Sequence, residues 1–111
     1  MQRVLSLLTF LMLLWTGPAA LSQQTAAARL HDLFDREWER TMQENPTWAS
    51  QLGDRRYAQR WEDVSLPAIR RSQQQTRAAL AELRTIDFSQ LSPDDRLNYR
   101  LFEQEYDMRV Q

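Results

Sequence analysis

Apolar residues recur at helical spacing through much of the chain. Between Thr25 and Glu44 they fall every three or four positions with charged residues between them, as in an amphipathic helix of about five turns. The apolar positions are Ala26, Leu30, Leu33, Phe34, Trp38 and Met42. This first helix is predicted to end at Asn45-Pro46, because the residue before a proline avoids helical geometry and proline lacks an N–H donor.

Two further helices are predicted from the residues that begin and end them. Asn45 as cap and Pro46 in the first turn start a short helix of about two turns, which Gly53 is expected to end. Ser65 caps a third helix with Pro67 in its first turn. Its core face is predicted to comprise Leu66, Ile69, Thr76, Leu80 and Leu83.

The segment between these helices, residues 54–63, has no clear period. Tyr57 and Trp61 stand there among charged residues, so we expect an ordered loop held by two aromatic anchors.

A fourth helix is predicted from Ser92 to the last residue, because Ser92-Pro93-Asp94-Asp95 supplies a cap, a first-turn proline and two acids near the positive end of the helix dipole. Its apolar residues fall on two sides, which predicts that both sides are covered. One side holds Leu97, Leu101 and Met108, and the other holds Tyr99, Phe102, Tyr106 and Val110. No stop signal follows Tyr106, so we expect a truncated chain that forms the N-terminal part of a larger helical fold.

The first residues read as a cleavable signal peptide. Arg3 precedes an apolar run of twelve residues from Val4 to Trp15, which Gly17-Pro18 ends. The small residues Ala20 and Ser22 then fit a signal peptidase site, with cleavage after Ser22 favoured. Twelve residues are too few for an uncleaved anchor, which needs about 20 to cross a bilayer. We therefore predict a signal peptide at 1–22 and an exported, periplasmic or secreted helical segment at 23–111.

Composition limits the classes of function. The 111 residues allow one domain at most, and the fold class is predicted to be all-α, with four antiparallel-packed helices. All 14 basic residues are arginine, and the formal net charge is −1. This charge indicates neither nucleic acid nor an anionic membrane as a partner. Without cysteine the chain has no disulfide, thiolate zinc site, cysteine nucleophile or lipid anchor on a leader cysteine.

The candidate catalytic and metal-binding residues do not combine into a site. His31 is the single histidine, and a pair with Asp35 one turn later would supply only two ligands, so we interpret His31 as flanking the apolar stripe. Asp94 and Asp95 resemble an acid/base pair, but capping and the helix dipole account for both.

The basic pairs and the aromatic residues do not identify a binding site either. Arg55-Arg56 and Arg70-Arg71 are predicted to form solvated ion pairs rather than an anion site, and neither glycine lies in a phosphate-binding loop. An aromatic set could line a ligand groove, although packing between helices is the favoured interpretation. It consists of Trp38, Trp48, Tyr57 and Trp61. No catalytic, cofactor-binding or metal-binding residue is assigned.

Several stretches nevertheless resemble a known family. They are ENPTWASQLGDRRY at 44–57, RWEDVS at 60–65, LRTID at 83–87 and LSPDDRLNYRLF at 91–102. In this order and spacing they resemble the N-terminal region of the bacterial domain of unknown function 885 family, over most of residues 30–106. The resemblance implies an exported helical protein related to zinc metallopeptidases, with a His-Glu-containing motif far downstream. That motif is absent from this sequence.

Two interpretations follow from the resemblance and the helical pattern. In the first, the chain is the N-terminal helical fragment of an exported, peptidase-like bacterial protein, inert alone, with zinc implied only for the full-length family. Its partner is then the remainder of the polypeptide or a homologous helical partner, and Arg55, Tyr57 and Trp61 are expected to touch a peptide substrate of the full-length form. In the second, it is a small periplasmic helical binding module whose Tyr99, Phe102, Tyr106 and Val110 face meets a partner. Both expect no nucleic-acid partner and no stable membrane anchor.

Overall fold

The computed structural model describes residues 24–111, which contain four α-helices, one short 3-10 helix and no strand. The α-helices are α1 (Ala26–Glu44), α2 (Pro46–Gln51), α3 (Leu66–Leu83) and α4 (Pro93–Val110), and the 3-10 helix is η1 (Phe88–Gln90). The prediction of an all-α fold with four helices is confirmed. The signal peptide and its cleavage site fall outside the described residues. None of the described helices is both long and apolar enough to cross a membrane.

Side-chain caps fix the starts of the three long helices. The hydroxyls of Thr25, Ser65 and Ser92 each accept a hydrogen bond from the backbone N–H three residues later, at 3.1, 3.3 and 3.1 Å. Such a bond satisfies one of the donors that the first turn of a helix leaves free. The predicted caps Ser65 and Ser92 are thus confirmed, and Thr25 caps α1 rather than belonging to it.

Asn45 departs from its predicted role. Its side chain makes no capping bond to α2. Instead its amide Nδ2 and its backbone N–H both donate to the carbonyl oxygen of Thr41, at 2.9 and 3.0 Å. Asn45 therefore ends α1 and also holds the predicted cap position of α2, where its carbonyl accepts from the N–H of Ala49 at 2.9 Å, but its side chain serves α1 because the free carbonyls of that last turn lie within its reach. Gly53 ends the turn after α2 with a φ of 92°, the left-handed geometry expected of a stop glycine.

The core lies where α1, α3 and α4 meet. Leu30, Leu33 and Leu83 are almost fully buried, at 0%, 1% and 0% exposure. The segment between α3 and α4 also contributes two buried side chains, Ile86 and Leu91. The buried residues of this cluster are Ala26, Leu30, Leu33, Ala79, Leu80, Leu83, Ile86, Leu91, Tyr99 and Tyr106, and Met42 and Ala49 are buried outside it.

Aromatic rings connect α1 to α4. The rings of Phe34 and Phe102 lie 5.0 Å apart, and the ring of Phe102 stacks on that of Tyr106 at 3.8 Å. Offset contacts of this kind add to the energy of burying the rings. The side of α4 that carries these aromatic residues is therefore its internal side.

Two predicted core faces are only partly buried. In α3, Leu80 and Leu83 are buried as predicted, but Leu66 and Ile69 are 67% and 44% exposed because the first turns of the helix extend beyond the core. In α4 one of the two apolar sides is exposed to solvent in the described chain. Its residues are Leu97, Leu101 and Met108, exposed by 59%, 57% and 61%. We call this set the outer face of α4; the expectation that both sides are covered is wrong for the described residues.

Candidate functional site

His31 lies at a contact between two helices. Its Nε2 is 2.8 Å from Oδ1 of Asp95, which joins α1 to the first turn of α4. The pair with Asp35, which the sequence offered only as two possible metal ligands, does not form; the carboxylate that His31 contacts belongs to another helix. The hydrogen bond that Asp95 accepts from the ring of His31 raises the pKa of His31 above its ordinary value, and the same bond lowers the pKa of Asp95.

The contact between His31 and Asp95 predicts a small pH dependence of stability. Because folding raises the pKa of His31, the contact contributes fully below the ordinary value of 6.5 and is lost as the pH rises through the raised pKa. Asp95, with its pKa below 3.8, stays charged across that range. We expect His31→Gln to lower the melting temperature by about 2 °C at pH 5.5 and by less at pH 8.5, and the effect is small because the imidazole is mostly exposed. Circular dichroism melts at both pH values measure this; an equal loss at both would contradict it.

The most buried polar contacts form what we call the Arg40 network, made of Glu37, Arg40, Glu44, Ser72 and Tyr106. The guanidinium of Arg40 lies 2.5 Å from Oε2 of Glu37 and 3.0 Å from Oε2 of Glu44. Ser72 donates to Glu44 at 2.9 Å, and the hydroxyl of Tyr106 donates to Glu37 at 2.8 Å. The network therefore ties α1 to both α3 and α4.

The electrostatics of the Arg40 network favour a structural role over acid/base chemistry. Burial by itself lowers the pKa of Arg40, but the hydrogen bonds and charges of Glu37 and Glu44 raise it by more than burial lowers it. The pKa of Arg40 is therefore above its ordinary value, and the guanidinium stays charged. Burial and the bond to Glu37 raise the pKa of Tyr106, so its hydroxyl stays protonated. Both oxygens of Glu37 already accept hydrogen bonds from Arg40. Neither Arg40 nor Tyr106 is thus poised to exchange a proton near neutral pH.

Sequence reasoning missed the Arg40 network, although the sequence contains a signal for it. Glu37, Arg40 and Glu44 continue the spacing of Leu30 and Leu33 along the same side of α1. Charged residues on the core side of a helix are rarely buried unless they are paired. Opposite charges spaced three and four residues apart there indicate a buried ion pair.

The predicted aromatic set divides into separate places. Trp38 and Trp48 meet edge to face at 5.8 Å, which joins α1 to α2. The hydroxyl of Tyr57 donates to Glu39, so Tyr57 anchors the loop as predicted. Trp61 is 91% exposed and anchors nothing, so that part of the prediction is wrong. The expected joint peptide contact of Arg55, Tyr57 and Trp61 stays a prediction.

An open groove of about 770 Å³ lies beside the exposed Trp61. Its apolar lining includes Trp48, Val64 and Ile69. The charged lining has both signs, with three arginines and three acids: Arg60, Arg71, Arg109, Glu44, Glu62 and Asp63. A mixed lining of this kind selects neither an anion nor a cation.

The remaining candidates do not form a metal or anion site. Across residues 24–111 no three His, Asp or Glu side chains come together as a metal site requires. In the basic pairs, Arg56 binds Glu39 and Asp54 at 2.9 and 2.7 Å, and Arg71 lies 3.7 Å from Asp63. The prediction of exposed ion pairs is confirmed for these two arginines.

The order of the later helices agrees with a family match. The profile of the family described as bacterial protein of unknown function (DUF885) matches residues 46–111, more than half of the chain. The chain belongs to the DUF885 family. The match begins at α2 and includes α3 and α4, which confirms the family resemblance carried by the stretches from 44 to 102. No curated protein and no solved structure matches the chain.

Proposed function

We propose that this DUF885 chain is the N-terminal helical fragment of an exported, peptidase-like protein and that it provides a docking platform for other helices. The observation that supports the proposal is the outer face of α4, where Leu97, Leu101 and Met108 are more than half exposed on one side of one helix. Exposed apolar stripes at helical spacing are typical of surfaces that another helix covers. The covering partner is the remainder of the polypeptide or a homologous helical segment.

The energetics favour such a partner. Fully burying a leucine or methionine side chain contributes about 1.5–3 kcal/mol, and the outer face offers three of them, each more than half exposed. The internal side of α4 is already packed through its tyrosines. The side of α4 predicted for a binding module, which carries Tyr99 and Tyr106, lies inside the core. In the proposal the partner therefore meets the outer face of α4 instead.

The relation to zinc peptidases rests on the family resemblance. His31 and Asp95 supply one histidine and one carboxylate, and no third ligand lies beside them in the described part of the chain. These residues therefore do not fit a zinc site, and we derive no catalytic step from them. In the proposal, the zinc ligands and the general base belong to a later part of the full-length protein, where a metal-bound water would attack a peptide bond.

Export and helix direction complete the proposal. The apolar run from Val4 to Trp15 with small residues after it supports a cleaved leader and a periplasmic or secreted product. The short connection between α3 and α4 supports the antiparallel packing expected of neighbouring helices. The second candidate, a small periplasmic binding module, is favoured by the same outer face of α4.

Sedimentation of the chain tests the docking platform. We expect the wild-type chain to self-associate as its concentration rises, because the outer face of α4 is uncovered. Replacing Leu97, Leu101 and Met108 together by glutamine should shift it to a monomer with unchanged helicity. Leu52→Gln, at an exposed apolar position of similar exposure (53%), serves as the matched control and should leave association unchanged. A wild-type chain that stays monomeric at high concentration would argue against a docking face. Zinc bound at one ion per chain would contradict the conclusion that the described residues do not fit a zinc site.

A further inference from the structure

The charge of the chain is unevenly distributed. Residues 55–71, which we call the 55–71 surface, hold five arginines and two acids, a formal charge of +3. The other described residues hold eight arginines and thirteen acids, a charge of −5. The small net charge of the whole chain thus hides a basic region on an otherwise acidic protein, and local charge decides which surfaces attract each other.

Much of this positive charge is free. Arg56 is neutralised by Glu39 and Asp54, and Arg71 lies near Asp63. Three other arginines of the segment form no ion pair with any described residue. They are Arg55, Arg60 and Arg70. The segment has one further acid, Glu62, to offset their charge. Once Arg56, Arg71 and their carboxylate partners are set aside, the surface keeps three arginines against one acid, an excess of two positive charges.

Apolar side chains project from the same segment. Trp61 is 91% exposed, Val64 78% and Leu66 67%. These are the largest exposures among the big apolar residues of the described chain. Trp61, Val64, Arg60 and Arg71 line one groove, so the apolar and basic groups lie side by side.

We propose that the 55–71 surface docks reversibly on the surface of a bilayer that contains anionic phospholipids. An indole ring settles at the level of the headgroups, and arginine binds phosphate with two parallel hydrogen bonds. The unpaired Arg60 beside the projecting Trp61 matches this chemistry, and Arg55 and Arg70 add positive charge in the same segment. The contact needs no membrane-crossing helix and does not depend on the peptidase relation.

An acidic protein segment is a poorer match for the same surface. The groove beside Trp61 is also lined by Glu44, Glu62 and Asp63, which would repel an acidic peptide lying in it. A bilayer is too broad to enter the groove and touches the projecting side chains instead. The exposure of Trp61 on a loop, outside any enclosed pocket, therefore favours a lipid surface.

A labelled full-length chain tests the proposal at the surface itself. Because the chain has no cysteine, Gln59→Cys gives a single site for an environment-sensitive fluorophore beside Trp61. We expect a blue shift with vesicles of phosphatidylglycerol and phosphatidylcholine, little shift with phosphatidylcholine alone, and weaker binding in high salt. Replacing Arg55, Arg60 and Arg70 by glutamine should weaken the response at least about tenfold, and Trp61→Ser should reduce the blue shift.

The control label separates this contact from other modes of lipid binding. Ser89→Cys places the fluorophore on η1, outside the basic region, and should show no shift. This control matters because residues 4–15 are apolar and are present in every variant. An equal shift at both labels, or a response that survives loss of the three arginines, would overturn the proposal. A response to soluble polyglutamate in place of vesicles would overturn it in favour of an acidic protein partner.

Discussion

Replacing Arg40 by methionine is expected to lower the free energy of unfolding by about 3 kcal/mol. The substitution keeps the length of the side chain but leaves the carboxylates of Glu37 and Glu44 without their shared cation. The side chains of Arg40 and Glu37 are only 13% and 12% exposed, so water compensates little. Removing one partner of a buried ion pair costs about 3–5 kcal/mol, far more than the pair itself contributes. Urea unfolding followed by circular dichroism measures the change.

The matched control for Arg40 lies one turn earlier on the same helix. Arg36 also binds a carboxylate, that of Glu82 at 2.5 Å, but its side chain is 59% exposed. We expect Arg36→Met to cost less than about 1 kcal/mol, because exposed pairs contribute little. Adding Glu37→Gln to Arg40→Met should restore part of the lost stability by removing one unpaired charge. Equal losses for the two arginines would contradict the buried role of Arg40.

The helices could be predicted from sequence because their signals are local. Proline, glycine and serine act on the backbone within one turn, so the caps at Ser65 and Ser92 and the stop at Gly53 were correct. Asn45 shows the limit of this reasoning. Its amide can satisfy the helix before it or the helix after it, and sequence does not decide between them. The carbonyl of Thr41 accepts hydrogen bonds from both the side-chain amide and the backbone N–H of Asn45, so the side chain of Asn45 caps the end of α1.

Burial was harder to predict than helicity because it depends on what packs against each face. Both apolar sides of α4 have the same pattern in sequence, yet Tyr106 is 4% exposed and Leu97 59%. The partner of His31 was missed for the same reason, since Asp95 is 64 residues away in sequence. Net charge gave no hint of the basic 55–71 surface, because a sum over the chain discards position. Long-range placement, rather than local preference, is what the sequence alone left undetermined.

Replacing Leu30 by alanine is expected to lower the free energy of unfolding by about 3 kcal/mol, whereas Leu101→Ala should cost less than about 0.5 kcal/mol. Both leucines lie inside a long helix, beyond its first turn, so the change in helix propensity is similar. Leu30 is fully buried and its removal leaves a cavity, while Leu101 is 57% exposed. Urea unfolding of the two variants measures the difference.

The comparison between these two leucines also tests which side of α4 belongs to the core. If Leu101→Ala destabilises the chain as much as Leu30→Ala, the outer face of α4 is packed in solution and cannot serve as a docking surface. If Leu101→Ala leaves unfolding unchanged but weakens self-association, the same side chain is dispensable for the fold and required for docking. Stability and association then report on opposite sides of one helix, as the burial of Tyr106 and the exposure of Leu101 require.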